Sequence, residues 1–153
     1  KTEQILTPRS VLHSLSEELT ICEALEFEET QQFSRIPVYK EEQDNITGLV
    51  TNRALLMAER EGHAEKAIHH FAKPITRVSQ QLPVQQLLDM FIKKREHLFL
   101  VEDQYGQVAG IVTLEDAIET MLGREIVDET DTVEDLQKLA KTQYRARLRK
   151  DKD

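Results

Sequence analysis

Cysteine is nearly absent from this sequence, and Cys22 is the only one among 153 residues. A single cysteine excludes an internal disulfide and a cysteine-based zinc cluster, and it fits a reducing compartment. No apolar run approaches the roughly 20 residues that cross a bilayer, and the N-terminal stretch has no apolar signal core. We therefore expect a soluble, intracellular piece. Because the chain opens on Lys1 rather than Met, we also expect that it was cut from a longer protein.

Basic residues are in the minority, with 20 Lys and Arg against 28 Asp and Glu and a formal net charge of −8. Such an acidic surface repels a phosphate backbone, so nucleic acid is not an expected partner. The motifs of common enzyme classes are missing as well, since the sequence has no Walker-type glycine loop, no nucleophile elbow and no metal-ligand spacing. The sequence therefore predicts a binding module and not an enzyme.

Residues 110–118 have the pattern of a buried strand that runs directly into a capped helix. Thr113 stands at the junction, where its hydroxyl, the free backbone N–H groups and the positive end of the helix dipole converge on one spot. Such a spot attracts an anion. On this motif alone the simpler explanation is favoured, because Thr113 and Asp116 have the spacing of a capping box, which needs no ligand.

The same pattern occurs twice. The sequence Gly48-Leu49-Val50-Thr51 lies 62 positions before Gly110-Ile111-Val112-Thr113, and residues 36–39 match 98–101 at the same offset. Two copies of one supersecondary unit imply that the copies pair and bury faces that neither could bury alone. We predict an α+β fold of two β-α-β-β-α repeats about a pseudo-two-fold axis. The repeats span 1–61 and 74–123, the connector 62–73, and a charged tail, helical or disordered, 124–153.

Local patterns assign the elements within each repeat. In the first repeat we expect a strand at 11–15, a helix opened by the capping box Thr20 to Glu23, strands at 33–39 and 46–51, and a helix at 52–60. Pro37 must lie at an edge or a bulge, since it has no N–H to donate. A short helix is expected at 64–71. The second repeat begins with a strand at 73–76 and continues with strands at 97–102 and 108–113. Its helix has the apolar stripe Val84, Leu87, Leu88, Phe91 and Ile92.

Four segments carry a resemblance to a known family: Thr7-Pro8, Arg35-Ile36-Pro37-Val38-Tyr39, residues 110–116 and the acidic residues 125–131. Together they resemble a pair of CBS motifs, or Bateman module, and in detail the cytosolic part of hemolysin-like, CorC-type and cyclin M-type divalent-cation transporters. The resemblance implies a regulatory module on the cytoplasmic side of a transporter in the inner or plasma membrane. It also implies a homodimer and an adenine nucleotide (AMP, ADP or ATP), with or without Mg²⁺, between the repeats. The alternative is a structural dimerisation module with an empty, degenerate cleft.

The resemblance assigns eight residues to the nucleotide site: Thr7, Phe33, Arg35, Ile36, Pro37, Ile111, Thr113 and Asp116. It places Thr113 at phosphate, Asp116 at the ribose hydroxyls and Ile111 against the base, with Thr7 and Phe33 beside the base. The chemistry agrees, because a carboxylate accepts hydrogen bonds from vicinal hydroxyls, a helix N-terminus suits phosphate, and an apolar wall with an aromatic ring suits a purine face.

The first repeat departs from this pattern at Ala54, which stands where the second repeat has Asp116. Alanine cannot bind ribose hydroxyls, so we expect one competent nucleotide site per chain and a symmetry-related cleft that is weak or empty. Arg35 fits two partners equally well on the sequence alone, a phosphate group or a cross-strand carboxylate.

The apolar faces of the helices after the last strand of each repeat are the expected dimer interface, because short helices beside a small sheet need a second surface for residues left exposed. The residues concerned are Leu55, Leu56, Ala117, Ile118, Met121 and Leu122. The charged tail is expected to contribute little to the nucleotide site, since solvent screens its charges over a Debye length of about 8–10 Å.

Overall fold

A computed structural model describes residues 1–129, with side chains described as far as residue 123. The first repeat contains β1 (Thr7–Pro8), β2 (Leu15–Ser16), α1 (Ile21–Glu26), α2 (Glu28–Gln32), β3 (Arg35–Tyr39), β4 (Ile46–Thr51) and α3 (Asn52–Arg60). The second contains β5 (Arg77–Ser79), α4 (Val84–Lys94), β6 (Leu98–Glu102), β7 (Val108–Thr113) and α5 (Leu114–Glu129). Short 3₁₀ helices lie at Thr2–Gln4, Arg9–Val11 and Ile68–Phe71. The predicted tail begins within α5, and its part from 130 to 153 lies outside the described residues.

Each repeat builds its own small sheet. The first sheet has the strand order β2-β3-β4, and the second has the order β1-β7-β6-β5. In the first sheet β2 is parallel to β3, which is antiparallel to β4. In the second sheet β5 is parallel to β6, which is antiparallel to β7. The structure therefore confirms the α+β fold with two β-α-β-β-α repeats.

The two repeats exchange the segments that precede them. Thr7 in β1 pairs antiparallel with Ile111 of the second sheet. In return, Lys73 pairs with Leu49 of the first sheet, through Leu49 N–H to Lys73 O at 2.9 Å and Lys73 N–H to Leu49 O at 2.8 Å. Leu49 and Ile111 are equivalent positions of the two repeats. This reciprocal exchange is the pairing that a pseudo-two-fold axis requires.

A glycine makes each exchange possible. A Cβ atom on Gly110 would collide with the backbone carbonyl of Thr7, and a Cβ atom on Gly48 would lie 2.5 Å from the carbonyl oxygen of Lys73. Both neighbours are backbone atoms, which cannot rotate away from the added Cβ as the end of a side chain could. The two glycines that mark the sequence repeat are therefore the two places where a segment from the other repeat pairs closely with the edge of a sheet.

The core falls into three clusters, one in each repeat and one between them. The cluster between the repeats joins Ile46 of β4 to four residues of the second sheet, Leu98, Leu100, Val108 and Ile111. Neither sheet could bury these side chains alone, which agrees with the pairing inferred from the repeat. In the second repeat, Phe91 of α4 stacks on Phe99 of β6 with the ring centroids 4.0 Å apart.

Several local predictions are confirmed. Thr20 Oγ1 accepts the N–H of Glu23 and Glu23 Oε1 accepts the N–H of Thr20, both at 3.1 Å, so the capping box of α1 is formed. Pro37 lies where β3 has a neighbour on one side only, because β2 pairs with β3 at Val38 and Tyr39 alone. A register shift between Val38 and Tyr39 also bends the strand there.

Three predicted elements are wrong in position. Residues 9–11 form a 3₁₀ helix instead of entering a strand at 11, and Val11 is 70% exposed; pairing begins only at Leu15. The connector helix is shorter than predicted and covers Ile68–Phe71 only. The first strand of the second repeat begins at Arg77 and not at 73, because Lys73 is already paired with Leu49.

Two predictions about helix faces are wrong in part. The predicted buried stripe of α4 includes Ile92, but Ile92 is 63% exposed because it lies on the outer flank of that helix. Leu55 and Ala117 were placed at a dimer interface but are fully buried against their own sheets. Leu56, Ile118 and Leu122 do remain exposed. Within residues 1–129, no helix combines the length and the apolar character needed to span a bilayer.

Candidate functional site

A cleft of about 370 Å³ lies between the two repeats and is lined by residues of both. Its volume falls within the roughly 300–1,000 Å³ of small-molecule sites in proteins. The structure brings six of the eight predicted site residues to its wall: Thr7, Phe33, Arg35, Pro37, Ile111 and Thr113. The exchange of β1 explains how Thr7 comes to lie beside Ile111, more than a hundred positions away in the sequence. We refer to this cavity as the first cleft.

Ile36 and Asp116 do not line the first cleft. Ile36 is fully buried in the core cluster of the first repeat. Side chains alternate along a strand, so Ile36 points to the opposite face from Arg35 and Pro37, which reach the cleft. Asp116 lies one helical turn after Thr113 and is hydrogen-bonded to it, whereas Thr113 itself lines the cleft.

Thr113 and Asp116 form a reciprocal cap at the start of α5. Thr113 Oγ1 donates to Asp116 Oδ2 at 2.9 Å and accepts the backbone N–H of Asp116 at 3.3 Å. In the first repeat, Thr51 Oγ1 accepts the N–H of Ala54 at 3.1 Å, so the backbone half of this cap is present there too. Only the second repeat adds a carboxylate to it. The carboxylate is partly exposed, and its Oδ1 has no protein donor among the described residues.

Arg35 has no carboxylate partner in the described part of the chain. No ion pair or hydrogen bond of its guanidinium occurs among the side chains of residues 1–123. Its cross-strand neighbour in β4 is Thr51, a neutral residue. Of the two partners that the sequence left open for Arg35, the cross-strand carboxylate is therefore not realised in this part of the structure. The guanidinium is a half-buried cation at the mouth of a cleft that also holds the N-terminus of α5.

The aromatic side of the cleft contains a residue that the sequence did not indicate, His13. Its ring stacks on Phe33 with centroids 6.4 Å apart at 25°, and it meets Phe27 on its other side at 6.0 Å. His13 Nε2 lies 3.3 Å from Oγ1 of the fully buried Thr30. Desolvation by burial lowers the pKa of His13 below its ordinary value, although the carboxylate of Glu29 acts in the opposite direction. The imidazole is therefore held neutral beside Phe33 at pH 7.

Sequence reasoning missed eight residues of the cleft wall: Val11, Leu12, His13, Gln32, Ser34, His97, Leu98 and Glu115. One signal could have identified His97, which follows Arg35 at the repeat offset of 62. His97 Nδ1 lies 3.8 Å from Glu115 Oε1 at the edge of the cleft. No pattern in the sequence connects residues 11–13 with the cleft, because that segment was predicted to be a strand.

A second cleft of about 470 Å³ lies at the symmetry-related position. Leu49 and Thr51 take the places that Ile111 and Thr113 have in the first cleft, and Lys73 takes the place of Thr7. Arg95 stands where the first cleft has Phe33. In the part of the chain with described side chains, residues 1–123, no three His, Cys, Asp or Glu side chains are grouped in a way that would hold a metal ion.

Two sheets related by a pseudo-two-fold axis, with reciprocal strand exchange and a ligand-sized cleft on each side, define a paired, repeat-built binding module. The family model described as "CBS domain" matches residues 3–61 and 67–123. The chain therefore belongs to the CBS-domain family and carries two copies of the domain.

Individual relatives and solved structures show which kind of CBS protein this chain resembles. The UPF0053 protein sll1254 of Synechocystis sp. is 39% identical over 145 residues, which cover 95% of this chain and 42% of that protein. The magnesium and cobalt efflux protein CorC of Escherichia coli is 31% identical over 136 residues, 89% of this chain and 46% of that protein. The chain thus spans less than half the length of these curated relatives.

Among solved structures, the CBS domain of the bacterial CNNM/CorC family Mg²⁺ transporter in complex with ATP matches with a TM-score of 0.74 and 30% identity. The match covers 79% of this chain and 86% of that one. The CBS domain of a putative transporter from Clostridium difficile matches with a TM-score of 0.73 and 26% identity, over 81% of this chain and 95% of that one. The predicted resemblance to CorC-type CBS pairs is thereby confirmed.

Proposed function

We propose that this CBS pair is a regulatory module that binds one adenine nucleotide per chain in the first cleft. The observation that carries the proposal is the division of that cleft into two chemically different ends. One end is an apolar and aromatic wall, and the other holds an unpaired arginine and a helix N-terminus. A nucleotide has the same division, with a flat base at one end and phosphate at the other.

The base end is formed by Ile111, Pro37 and Phe33. Phe33 is 50% exposed although it is a large aromatic side chain, and its ring is already held in place by the stacked His13. An exposed aromatic ring beside an apolar floor gains most from a planar ligand that covers it. The backbone of Thr7, held against β7 by strand pairing, borders the same end.

The phosphate end is formed by Arg35, Thr113 and the first turn of α5. A guanidinium without a protein partner and the positive end of the helix dipole both favour an anion. Asp116 does not line the cleft itself but is bonded to Thr113, which does, and its free oxygen is proposed to accept hydrogen bonds from the ribose hydroxyls. The hydrogen bond from Thr113 Oγ1 to Asp116 Oδ2 fixes the direction of that carboxylate.

The regulatory role is proposed from the proteins to which this chain is similar. A relative that is 31% identical is a magnesium and cobalt efflux protein, and a structure that is 30% identical is the CBS domain of an Mg²⁺ transporter in complex with ATP. We propose that this chain is the cytoplasmic part of a membrane protein that transports or exports divalent cations of the Mg/Co type. Nucleotide in the cleft changes the relation of the two repeats and passes that change to the membrane domain. No catalysis is proposed.

Calorimetric titration of the chain with AMP, ADP and ATP, each with and without Mg²⁺, tests the proposal. We expect saturable binding of about one nucleotide per chain. Phe33→Ala should weaken every nucleotide by about tenfold, because a base that stacks on an aromatic ring gains roughly 1–3 kcal/mol. The matched control is Tyr105→Ala, which removes an exposed aromatic ring from the turn between β6 and β7, away from both clefts.

Three outcomes would contradict the proposal. An absence of binding by folded protein would favour the alternative, a structural dimerisation module with an empty cleft. Equal losses in Phe33→Ala and Tyr105→Ala would mean that the base does not lie in the first cleft. Release of phosphate from ATP, in proportion to protein and lost in Thr113→Ala, would indicate an enzyme.

We also propose that two chains associate through the exposed apolar residues of α3 and α5, Leu56, Ile118 and Leu122. Sedimentation velocity at micromolar concentration should give a dimer. Leu56→Asp and Ile118→Asp should each shift it toward monomer, because a charge would be buried against an apolar surface. The control is Ile92→Asp on α4, an apolar residue of another helix that is more exposed, at 63%, than Leu56 or Ile118. A monomeric parent chain would show that these helices are not an interface.

A further inference from the structure

The second cleft is cationic where the first is aromatic. Arg35, Lys73 and Arg95 all line it. None of the three has an ion pair or side-chain hydrogen bond within residues 1–123, whose side chains are described. Among the residues whose side chains the structure describes, the one carboxylate on its wall is that of Glu96, which accepts a 2.7 Å hydrogen bond from Thr76 Oγ1. Three unneutralised cations around one cavity create a local attraction for anions in a protein whose overall charge is negative.

The same cleft is unsuited to a nucleoside of its own. The position equivalent to Phe33 is Arg95, so the flat aromatic surface for a base is missing. The position equivalent to Asp116 is Ala54, so the acceptor for ribose hydroxyls is missing as well. The chemistry that this cleft retains is that of phosphate.

The two clefts are also continuous. Arg35, His97 and Leu98 line both of them. Arg35 is the cross-strand neighbour of Thr51 in the second cleft, while its side chain also reaches the wall of the first. Leu98 is the cross-strand neighbour of Thr113 in the first cleft. A phosphate group held by Thr113 and Arg35 therefore lies at the border, and further phosphates of the same ligand extend toward Lys73 and Arg95.

We infer that the second cleft holds the distal phosphates of a nucleoside triphosphate whose base occupies the first cleft. This inference rests on the proposed function and adds to it the number of phosphates that the bound nucleotide carries. The chain then distinguishes a triphosphate from a monophosphate through Lys73 and Arg95, which a monophosphate does not reach. Screening by salt should weaken triphosphate binding more than monophosphate binding for the same reason.

The test compares ATP with AMP in the same variants, without Mg²⁺ so that the phosphates carry their full charge. In the double variant Lys73→Ala with Arg95→Asn, ATP affinity should fall by about five- to tenfold, while AMP affinity stays within about twofold. Asparagine is chosen because residue 95 has a left-handed backbone with φ of 54°, which asparagine tolerates. The control is Lys40→Ala, which removes an exposed lysine outside both clefts.

A second probe is inorganic tripolyphosphate, which should compete with ATP in the parent chain and compete less in the double variant. Equal losses for ATP and AMP, or no loss for either, would overturn the inference and leave the proposed nucleotide site standing. Failure of the parent chain to bind either nucleotide would overturn both. Thermal unfolding of each variant checks that the fold is retained, which is expected because Lys73 pairs with Leu49 through its backbone alone.

Discussion

The two clefts occupy equivalent places in two copies of one unit, yet their walls differ in chemistry. Both sides share three features: the paired segment from the other repeat, the glycine beside it and the capping threonine. The differences lie in the residues that follow the first helix of each repeat and in the first turn of the last helix. One scaffold therefore presents an aromatic wall on one side and a cationic wall on the other.

The helices before the clefts explain much of this difference. In the first repeat the helix is broken at Phe27 into α1 and α2, and Phe33 follows in an extended conformation with φ of −102°. In the second repeat α4 is unbroken, and Arg95 ends it with φ of 54°. The break brings Phe27 and Phe33 to either side of His13. A repeat can thus change its ligand chemistry through one helix while its sheet stays the same.

The largest effect is expected from adding a Cβ atom at the two glycines where the exchanged segments pair. Gly110→Ala would force its Cβ into the carbonyl of Thr7 and displace β1 from the second sheet. Because overpacking against backbone costs about 1–3 kcal/mol, we expect a loss of unfolding free energy at the upper end of that range, together with loss of nucleotide binding. Urea denaturation and calorimetry measure the two effects.

Gly48→Ala tests whether the two clefts are independent, since it disturbs only the second cleft. There the added Cβ would lie 2.5 Å from Lys73 O. We expect a smaller loss of stability and retention of AMP binding. The control is Gly123→Ala, whose added Cβ meets nothing within 4 Å. Equal loss of AMP binding in Gly48→Ala and Gly110→Ala would show that the clefts are not independent at the base end.

Asp116→Asn tests which of two roles the cap of α5 has. If Asp116 binds ribose, the charged acceptor is lost from two hydroxyl contacts, and affinity should fall by about ten- to a hundredfold while the fold survives. If it only caps, stability should fall by about 0.5–1 kcal/mol and affinity should stay the same. Asp89→Asn on the exposed face of α4 is the control. Unchanged affinity in Asp116→Asn would return this residue to the capping role.

Ala54→Asp asks whether the carboxylate alone accounts for the difference between the clefts. The new side chain should stabilise α3 by about 0.3–1 kcal/mol, because a negative charge in the first turn complements the helix dipole. It should create at most a weak second nucleotide site, since no aromatic wall accompanies it. Binding stoichiometry from calorimetry measures this. A second site as strong as the first would show that Phe33 and its neighbours matter little.

The repeat made most of the fold predictable from sequence. Matching positions 62 residues apart located β3, β4, β6 and β7, because these strands are continuous apolar runs bounded by turns. The exchange of Thr7 and Lys73 between sheets was not predictable, since no local pattern records which distant strand a two-residue segment pairs with. The same limit applies to the site. Thr113 has a local signal, whereas His13 enters the cleft through contacts with Phe27, Phe33 and Thr30 that depend on the broken helix.

The smallest expected effect concerns His13, which has no counterpart in the second cleft. Burial lowers the pKa of His13 in the folded chain, so the unfolded chain binds the proton more readily. The contribution of His13 to stability is therefore complete above the unfolded pKa of about 6.5 and is lost as the pH falls through the lower folded value. Urea denaturation between about pH 7.5 and 5 should show unfolding free energy decreasing toward acid, and His13→Gln should flatten that decrease. His70→Gln, at an exposed histidine of the connector, is the control and should leave the slope unchanged. A slope that survives in His13→Gln and disappears in His70→Gln would assign the acid sensitivity to the connector, and the aromatic wall would then not depend on a neutral imidazole.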